Sequence, residues 1–349
     1  MLLRINHETK LTYSNPVSET VFELRMAPPS NDDQTAMGYH LKISPQTPVT
    51  SYRDGFGNRV DLFNITSPYR ELVTQATTYV RTHRRSGLER LAGVSWPAPA
   101  ATSVAIEAFE YLQDSPLVER SPALAAFVST LEVPSGTLLD VVYVLFNAVA
   151  ARLKYEKRVT SARTPVSEAL ELGSGVCQDF AHLFLAACRG IHLPARYVSG
   201  YVNHPGEIAT HAWCQVWGNL QVGWIDVDPT HSCIVENDHV VTAVGRDYSD
   251  VPPNRGLWKG RSQETMGVSV TVDPVEQATM EWNEWSPPRP RMTGGFANSH
   301  SHSHSHSQSQ RQGMVGVAPR RSSRSAYPNQ RSPRAGLHQQ QGEQQQQQQ

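Results

Sequence analysis

Cys177 sits in the run Gly173-Ser174-Gly175-Val176-Cys177-Gln178-Asp179-Phe180-Ala181-His182, where a glycine-rich turn enters apolar residues at helical spacing. That spacing predicts a helix starting at the cysteine. A thiol there faces the positive end of the helix dipole and the free amides of the first turn. Both favour the thiolate, the nucleophilic form. Downstream, Thr210-His211-Ala212-Trp213 and Asp226-Val227-Asp228-Pro229-Thr230 read as strand segments. A thiol, an imidazole and a carboxylate are the parts needed for nucleophilic acyl transfer.

Strand parity tests whether these groups can meet. Over Thr210–Trp217, a period of two puts His211, Trp213, Gln215 and Trp217 on one face and Ala212, Cys214 and Val216 on the other. Over Trp224–Asp228, Trp224, Asp226 and Asp228 share a face. If the strands are antiparallel neighbours, His211 can reach an aspartate across the ladder. One ring nitrogen then takes the Cys177 proton while the carboxylate fixes the other. Parity leaves Asp226 and Asp228 both open. Asp228 has an edge because it ends its strand before Pro-Thr, where loop amides can hold a carboxylate.

The other cysteines fit this chemistry less well. Cys188 follows Cys177 on nearly the same helical face, but about 16 Å along the axis at 1.5 Å per residue. Cys214 falls on the strand face opposite His211 and reads as a small buried hydrophobe. Cys233 lies in a loop with no evident base. His211, His231, His239, Cys214 and Cys233 follow no compact zinc spacing, so neither a metal nor a cofactor is expected.

Around these residues the chain divides into four parts. Residues 1–85 carry alternating runs such as Val21–Met26 and a hairpin signal at Asp54-Gly55-Phe56-Gly57-Asn58, and read as a small β-sandwich. Residues 86–165 read as a helical connector, with a helix from Pro116 to Leu131 and another over 138–153 whose apolar positions keep helical spacing. Residues 166–285 hold the Cys177 helix and then a run of strands, at 195–202, 210–217, 224–228, 239–244 and 268–272. Helices followed by a run of strands indicate an α+β class. From Ser286 to Gln349 come His-Ser repeats, scattered arginine and a glutamine-rich end, a composition expected to stay disordered.

Charge follows the same division. The 349 residues carry a net charge of −1. Eight arginines against one glutamate after residue 285 make the tail +7, so the body carries −8. An acidic body with no basic patch argues against nucleic acid as its partner. No apolar run is long enough for a signal peptide or a membrane span, and the four cysteines include no CxxC pair. A cytoplasmic, thiol-reduced protein without a membrane partner is expected.

Several of these runs together resemble the transglutaminase-like superfamily, in its bacterial branch. They are Gly175–Ala181, Pro194–Tyr201, His211-Ala212-Trp213, Gly223-Trp224 through Asp228-Pro229-Thr230, and Val244-Gly245-Arg246-Asp247-Tyr248-Ser249-Asp250-Val251-Pro252-Pro253. The Asp54–Asn58 hairpin resembles the β-rich domain that precedes the core in such proteins. The resemblance covers about residues 3–275. It implies a papain-like α+β core with Cys177 as nucleophile, His211 as base and Asp228 as the orienting acid. It implies a protein or peptide substrate whose amide carbonyl is attacked, giving peptidase, amidase or transamidase activity. Asp226 stands where the family commonly has glycine or a small residue. Two other readings are a catalytically silent binding module and an interaction protein working through its tail. Under the enzymatic reading, limiting iodoacetamide near neutral pH should alkylate Cys177 ahead of Cys188, Cys214 and Cys233. Equal labelling of all four by peptide mapping would remove the case for an activated thiolate.

Overall fold

The computed structural model describes residues 1–97, 106–204, 210–279 and 342–343. These fall within one compact unit. The predicted tail lies outside the described residues except for Gly342–Glu343.

The N-terminal region is built on one very long strand. β1 (Leu2–Leu24) buries nearly every second side chain along its first half, as its alternating sequence requires. Irregular register between Thr12 and Val17, and again between Ser18 and Val21, lets this one strand serve two sheet halves. With β2 (Gln34–Ser44), β3 (Val49–Arg53), β4 (Arg59–Ile65) and β5 (Tyr69–Thr82) it forms an antiparallel arrangement. β5 pairs with its first half and β4 with its second. Leu11, Tyr13, Leu72 and Ala76 from one half pack with Phe22, Leu24, Phe63 and Ile65 from the other, giving the sandwich core.

Short elements follow: α1 (Gly87–Ala92), β6 (Ser95–Trp96) and α2 (Ile106–Phe109). The predicted helix from Pro116 begins later, as α3 (Pro122–Ser129), because Ser121 is the residue able to cap it. The Ser121 hydroxyl accepts from the Leu124 amide and Pro122 takes the first helical position, while Ser115 and Val118 bridge in a turn. β7 (Gly136–Thr137) pairs with β6 and leads into α4 (Leu138–Arg152). The α4 helix starts with a capping box: Asp140 accepts the Thr137 amide at 2.9 Å, and Thr137 accepts the Asp140 amide at 3.3 Å. Its apolar stripe, from Leu138 through Val149, is buried. β8 (Lys154–Tyr155) and α5 (Val166–Leu172) come next. Then β9 (Ser174–Gly175), parallel to β8, delivers the chain to α6 (Cys177–Gly190).

A five-stranded antiparallel sheet packs on α6. Its strands are β10 (Ala195–Val202), β11 (Thr210–Trp217), β12 (Trp224–Asp228), β13 (Cys233–Ile234) and β14 (His239–Gly245), in the order β13-β12-β11-β10-β14. Ala212, Cys214 and Val216 face α6, Ile225 and Val227 join the same apolar cluster, and α4 covers the helix from another side. From Gln178 to Cys188 every residue of α6 is buried, as befits the central helix of a layered core.

Residues 254–274, read from the sequence with the catalytic region, hydrogen-bond elsewhere. β15 (Asn254–Lys259) and β16 (Glu264–Pro274) each pair antiparallel with β1. β17 (Gly342–Glu343) adds to β15. Their alternating pattern fits any half-buried sheet, and β1 offers free edges to both.

β14 lies at the rim of the core sheet, where its outer backbone groups need partners. Two amide side chains from the N-terminal region supply them. Gln34 donates to the Val241 carbonyl and accepts from the Val241 amide, both at 2.9 Å. Asn58, at the end of the Asp54–Asn58 hairpin, does the same for Val244, both at 2.8 Å. Each amide thus imitates one residue of a neighbouring strand. Gln34→Ala should cost about 2 kcal/mol, because it strands buried backbone groups as well as losing three hydrogen bonds, two to Val241 and one to the Pro29 carbonyl. Denaturant midpoints would check this, and a loss below about 0.5 kcal/mol would mean that water replaces the clamp.

Candidate active site

The start of α6 is fixed by local sequence. α5 ends on Gly173, whose φ of 66° turns the chain as few other residues can without strain. Gly175 then passes so close to Asp179 that an added Cβ would stand 2.5 Å from its carboxylate. This approach lets Asp179 Oδ2 accept the Val176 amide at 2.8 Å and the Thr160 hydroxyl at 2.6 Å. Valine has no side-chain acceptor, so α6 carries only this reciprocal half of a capping box. Burial pushes the Asp179 carboxyl up to about 6, against the hydrogen bonds from Thr160 and Val176. Cys177, the first helical residue, is only partly buried, whereas Cys188 and Cys214 are fully buried.

His211 enters the site from β11 and Asp228 from the end of β12. His211 Nε2 donates to Asp228 Oδ2 at 2.8 Å. His211 is also within hydrogen-bonding reach of Cys177, and with Nε2 engaged, Nδ1 is the nitrogen left for the thiol. Cys177, His211 and Asp228 are therefore brought together in the order that acyl transfer requires. Burial works to lower the pKa of His211. The hydrogen bonds and charges of Asp228 and Cys177 outweigh it and raise His211 to about 10. Burial likewise disfavours the Asp228 carboxylate, yet hydrogen bonds from His211, His231 and His239 hold it well below the usual range. The stabilising contribution of His211 is complete below the ordinary 6.5 and is lost as pH rises through about 10. That of Asp228 is present above 3.8 and is lost as pH falls through its lowered value.

Asp226 has a separate task. Its Oδ1 accepts from Trp213 Nε1 at 2.7 Å and Gln215 Nε2 at 2.9 Å, and its Oδ2 faces Arg84 Nε at 3.6 Å. Both ends of this ion pair are almost entirely buried. Arg196 donates to Gln215 Oε1 at 2.7 Å and lies 4.2 Å from the centre of the Trp224 ring. Asp226 thus braces the strands beside the site and does not contact His211.

Sequence reasoning took His231 and His239 only as weak zinc candidates. In the fold both converge on Asp228 Oδ2, His231 through Nδ1 at 2.6 Å and His239 through Nε2 at 3.4 Å. His231 follows the Asp-Pro-Thr turn by one residue and so folds back onto its own aspartate. His239 opens β14, two strands from His211 in the sheet order. Ligand atoms of His211, Asp228 and His231 lie within 4.8 Å of one another, close enough to share an ion. Their mutual hydrogen bonds already account for that closeness. Cys214 faces away, donating to the Ala181 carbonyl, and Cys233 pairs opposite Asp228 in the β12–β13 ladder.

Comparison with known proteins bears on the family and the fold. Residues 126–229 match the transglutaminase-like superfamily core, and residues 3–81 the bacterial transglutaminase-like N-terminal region. An uncharacterized protein of Mycobacterium tuberculosis is 32% identical over 291 residues, covering 78% of this chain and 93% of that protein. One of Mycobacterium leprae is 30% identical over 283 residues, covering 77% and 98%. Among solved structures, a candidate cysteine protease from Cytophaga hutchinsonii aligns with a TM-score of 0.62 at 20% identity, over 80% of this chain and 93% of that one. At that identity the likeness concerns fold. Fold and matches define a mixed α/β protein with a transglutaminase-like core behind a β-rich N-terminal region. The chain belongs to the transglutaminase-like superfamily.

The two aspartates should separate by experiment. In Asp228→Asn the titration midpoint of His211, followed by imidazole NMR, should fall from about 10 toward 6.5. Asp226→Asn should leave that midpoint within about half a unit while costing roughly 3–5 kcal/mol of stability, because Arg84 is left buried without its carboxylate. Equal shifts in the two variants would contradict this division.

Proposed function

We propose that the protein is a cysteine enzyme that cleaves amide bonds of proteins or peptides through a thioester on Cys177. One observation carries the reading: a buried imidazole is held by Asp228 on one side and faces Cys177, at a helix start, on the other. A silent binding module has no need of that arrangement. The likeness in fold to a candidate cysteine protease supports the same class.

In the first half-reaction the Cys177 thiolate attacks the amide carbonyl carbon and forms a C–S bond. The carbonyl oxygen becomes an oxyanion, for which the Cys177 amide in the open first turn of α6 is a natural donor. His211, protonated at neutral pH, gives its proton to the departing nitrogen as the C–N bond breaks. His211 is then neutral and acts as base for the second nucleophile. That nucleophile adds to the thioester, its proton passes to His211, and the thiolate leaves.

Water or an amine can serve as the second nucleophile, and the three residues are the same for both. A lysine amine has a pKa of about 10.4, so at pH 7 fewer than about one in a thousand is unprotonated and nucleophilic. Cys177 is not sealed from solvent. Hydrolysis is therefore the favoured outcome, and transfer to an amine would require a site that excludes water. Peptide libraries incubated with and without a primary amine, read by mass spectrometry, decide among the outcomes. Chain cleavage or a shift of about one dalton marks hydrolysis, and an amine adduct marks transfer. All products should vanish in Cys177→Ala with its melting temperature nearly unchanged. Turnover that survives in this variant would rule out the nucleophile.

A further inference from the structure

His239 is 3% exposed, and both of its ring nitrogens face carboxylates. Nε2 lies 3.4 Å from Asp228 Oδ2, and Nδ1 lies 2.8 Å from Asp238 Oδ1. A neutral imidazole has one N–H and one lone pair. Whichever tautomer it took, the lone pair would point at a carboxylate oxygen. Only the imidazolium satisfies both contacts. We infer that His239 is a buried, permanently charged positioning residue that acts on His211 through their shared carboxylate, Asp228.

The surrounding charges agree. His239 sits between Asp238 on its own segment and Asp228 at the end of β12. The His211 ring centre is 5.8 Å away and the Trp213 ring lies edge-on at 5.0 Å. His231 shares Asp228 Oδ2 from the following turn. Arg84, the other nearby cation, bonds the His239 and Glu236 carbonyls and pairs with Asp226, so it holds the backbone of this segment in place. Burial opposes the charge on His239, but the hydrogen bonds to Asp228 and Asp238 outweigh it and hold its pKa above the ordinary value.

The result is a row of alternating charge, Asp238, His239, Asp228 and His211, that ends at the Cys177 thiol. Its consequence for His211 has a definite sign. A carboxylate held by one imidazole alone would stabilise the His211 imidazolium, and so retain its Nδ1 proton, most strongly. A second cation on the same oxygen weakens the hold, which favours proton release to a departing amine.

This inference rests on the reading of Cys177, His211 and Asp228 as the reacting set, but its first test does not. In the full-length protein labelled with 15N-histidine, both ring nitrogens of His239, assigned by comparison with His239→Gln, should remain protonated from pH 6 to 9. A neutral tautomer in that range would overturn the inference, whatever the enzyme does. Asp238→Asn removes one carboxylate, so His239 should then titrate in the ordinary imidazole range. A matching inflection should enter the pH profile of kcat. In His239→Gln, kcat should fall roughly 10- to 100-fold with KM little changed. If Asp238→Asn makes His239 titrate and leaves the kcat profile flat through that midpoint, His239 is only structural and its coupling to His211 is refuted.

Discussion

The core of this protein is organised around one fully buried carboxylate. Taking Asp228 out of water costs several kcal/mol unless its charge is answered within the fold. Five donors answer it. Three are the imidazoles of His211, His231 and His239, and two are the amides of Thr230 at 2.9 Å and His231 at 3.4 Å. They come from β11, from β14 and from the turn after β12. The carboxylate is therefore satisfied only when three strands and a turn hold their register together. The pairing Gln215 to Asp226 in the β11–β12 ladder places Asp228 diagonal to His211. A slip of one residue would turn Asp228 toward α6 and leave the imidazoles unanswered.

The N-terminal region contributes to this constraint at a distance. β14 carries His239 and lies at the rim of its sheet, where an unpaired strand would fray. Gln34 and Asn58 occupy the outer backbone groups of Val241 and Val244. Just before β14, Thr82 and Arg84 bond Asn237, and Arg84 also reaches the His239 carbonyl. The His7 ring meets the Tyr201 hydroxyl at 2.8 Å across the same boundary. The β-rich region thus acts as a brace for the strand that opens with His239, although none of the three central residues belongs to it.

Much of this was legible in the sequence where a local period decides the matter. Period two put His211, Asp226 and Asp228 on one strand face, and helical spacing began α6 at Cys177. Sequence bounds for β10, β11 and β12 agree with those observed. Parity cannot choose between Asp226 and Asp228, because it fixes a face and not a partner. The choice is made by Trp213 and Gln215, whose donors occupy Asp226. His239 was equally out of reach of local reasoning, since its partner Asp228 lies across the sheet order. The pairing of β15 and β16 with β1 also had no local sign, because an alternating strand does not name its neighbour. Gln34 reads as an ordinary polar residue and Asn58 as the end of a hairpin turn, and only the position of β14 gives them their clamping role.

The two aspartates show why similar residues two positions apart take different parts. Each is buried and each faces cations or N–H donors. Asp226 meets an arginine, which stays charged at any pH the protein meets, and neutral indole and amide donors. Among the described residues its side-chain partners hold no proton to exchange near neutrality, so it can only brace. The side chains that meet Asp228 are all imidazoles, groups able to take up and give up a proton. The His211 imidazolium donates its Nε2 N–H to Asp228 and turns its Nδ1 proton toward Cys177, so either partner can alter how tightly the Nδ1 proton is held. In the proposed reaction this proton must be held before the amide bond breaks and released as it breaks. A carboxylate shared among several imidazoles suits both demands, because it attracts each proton without belonging wholly to one.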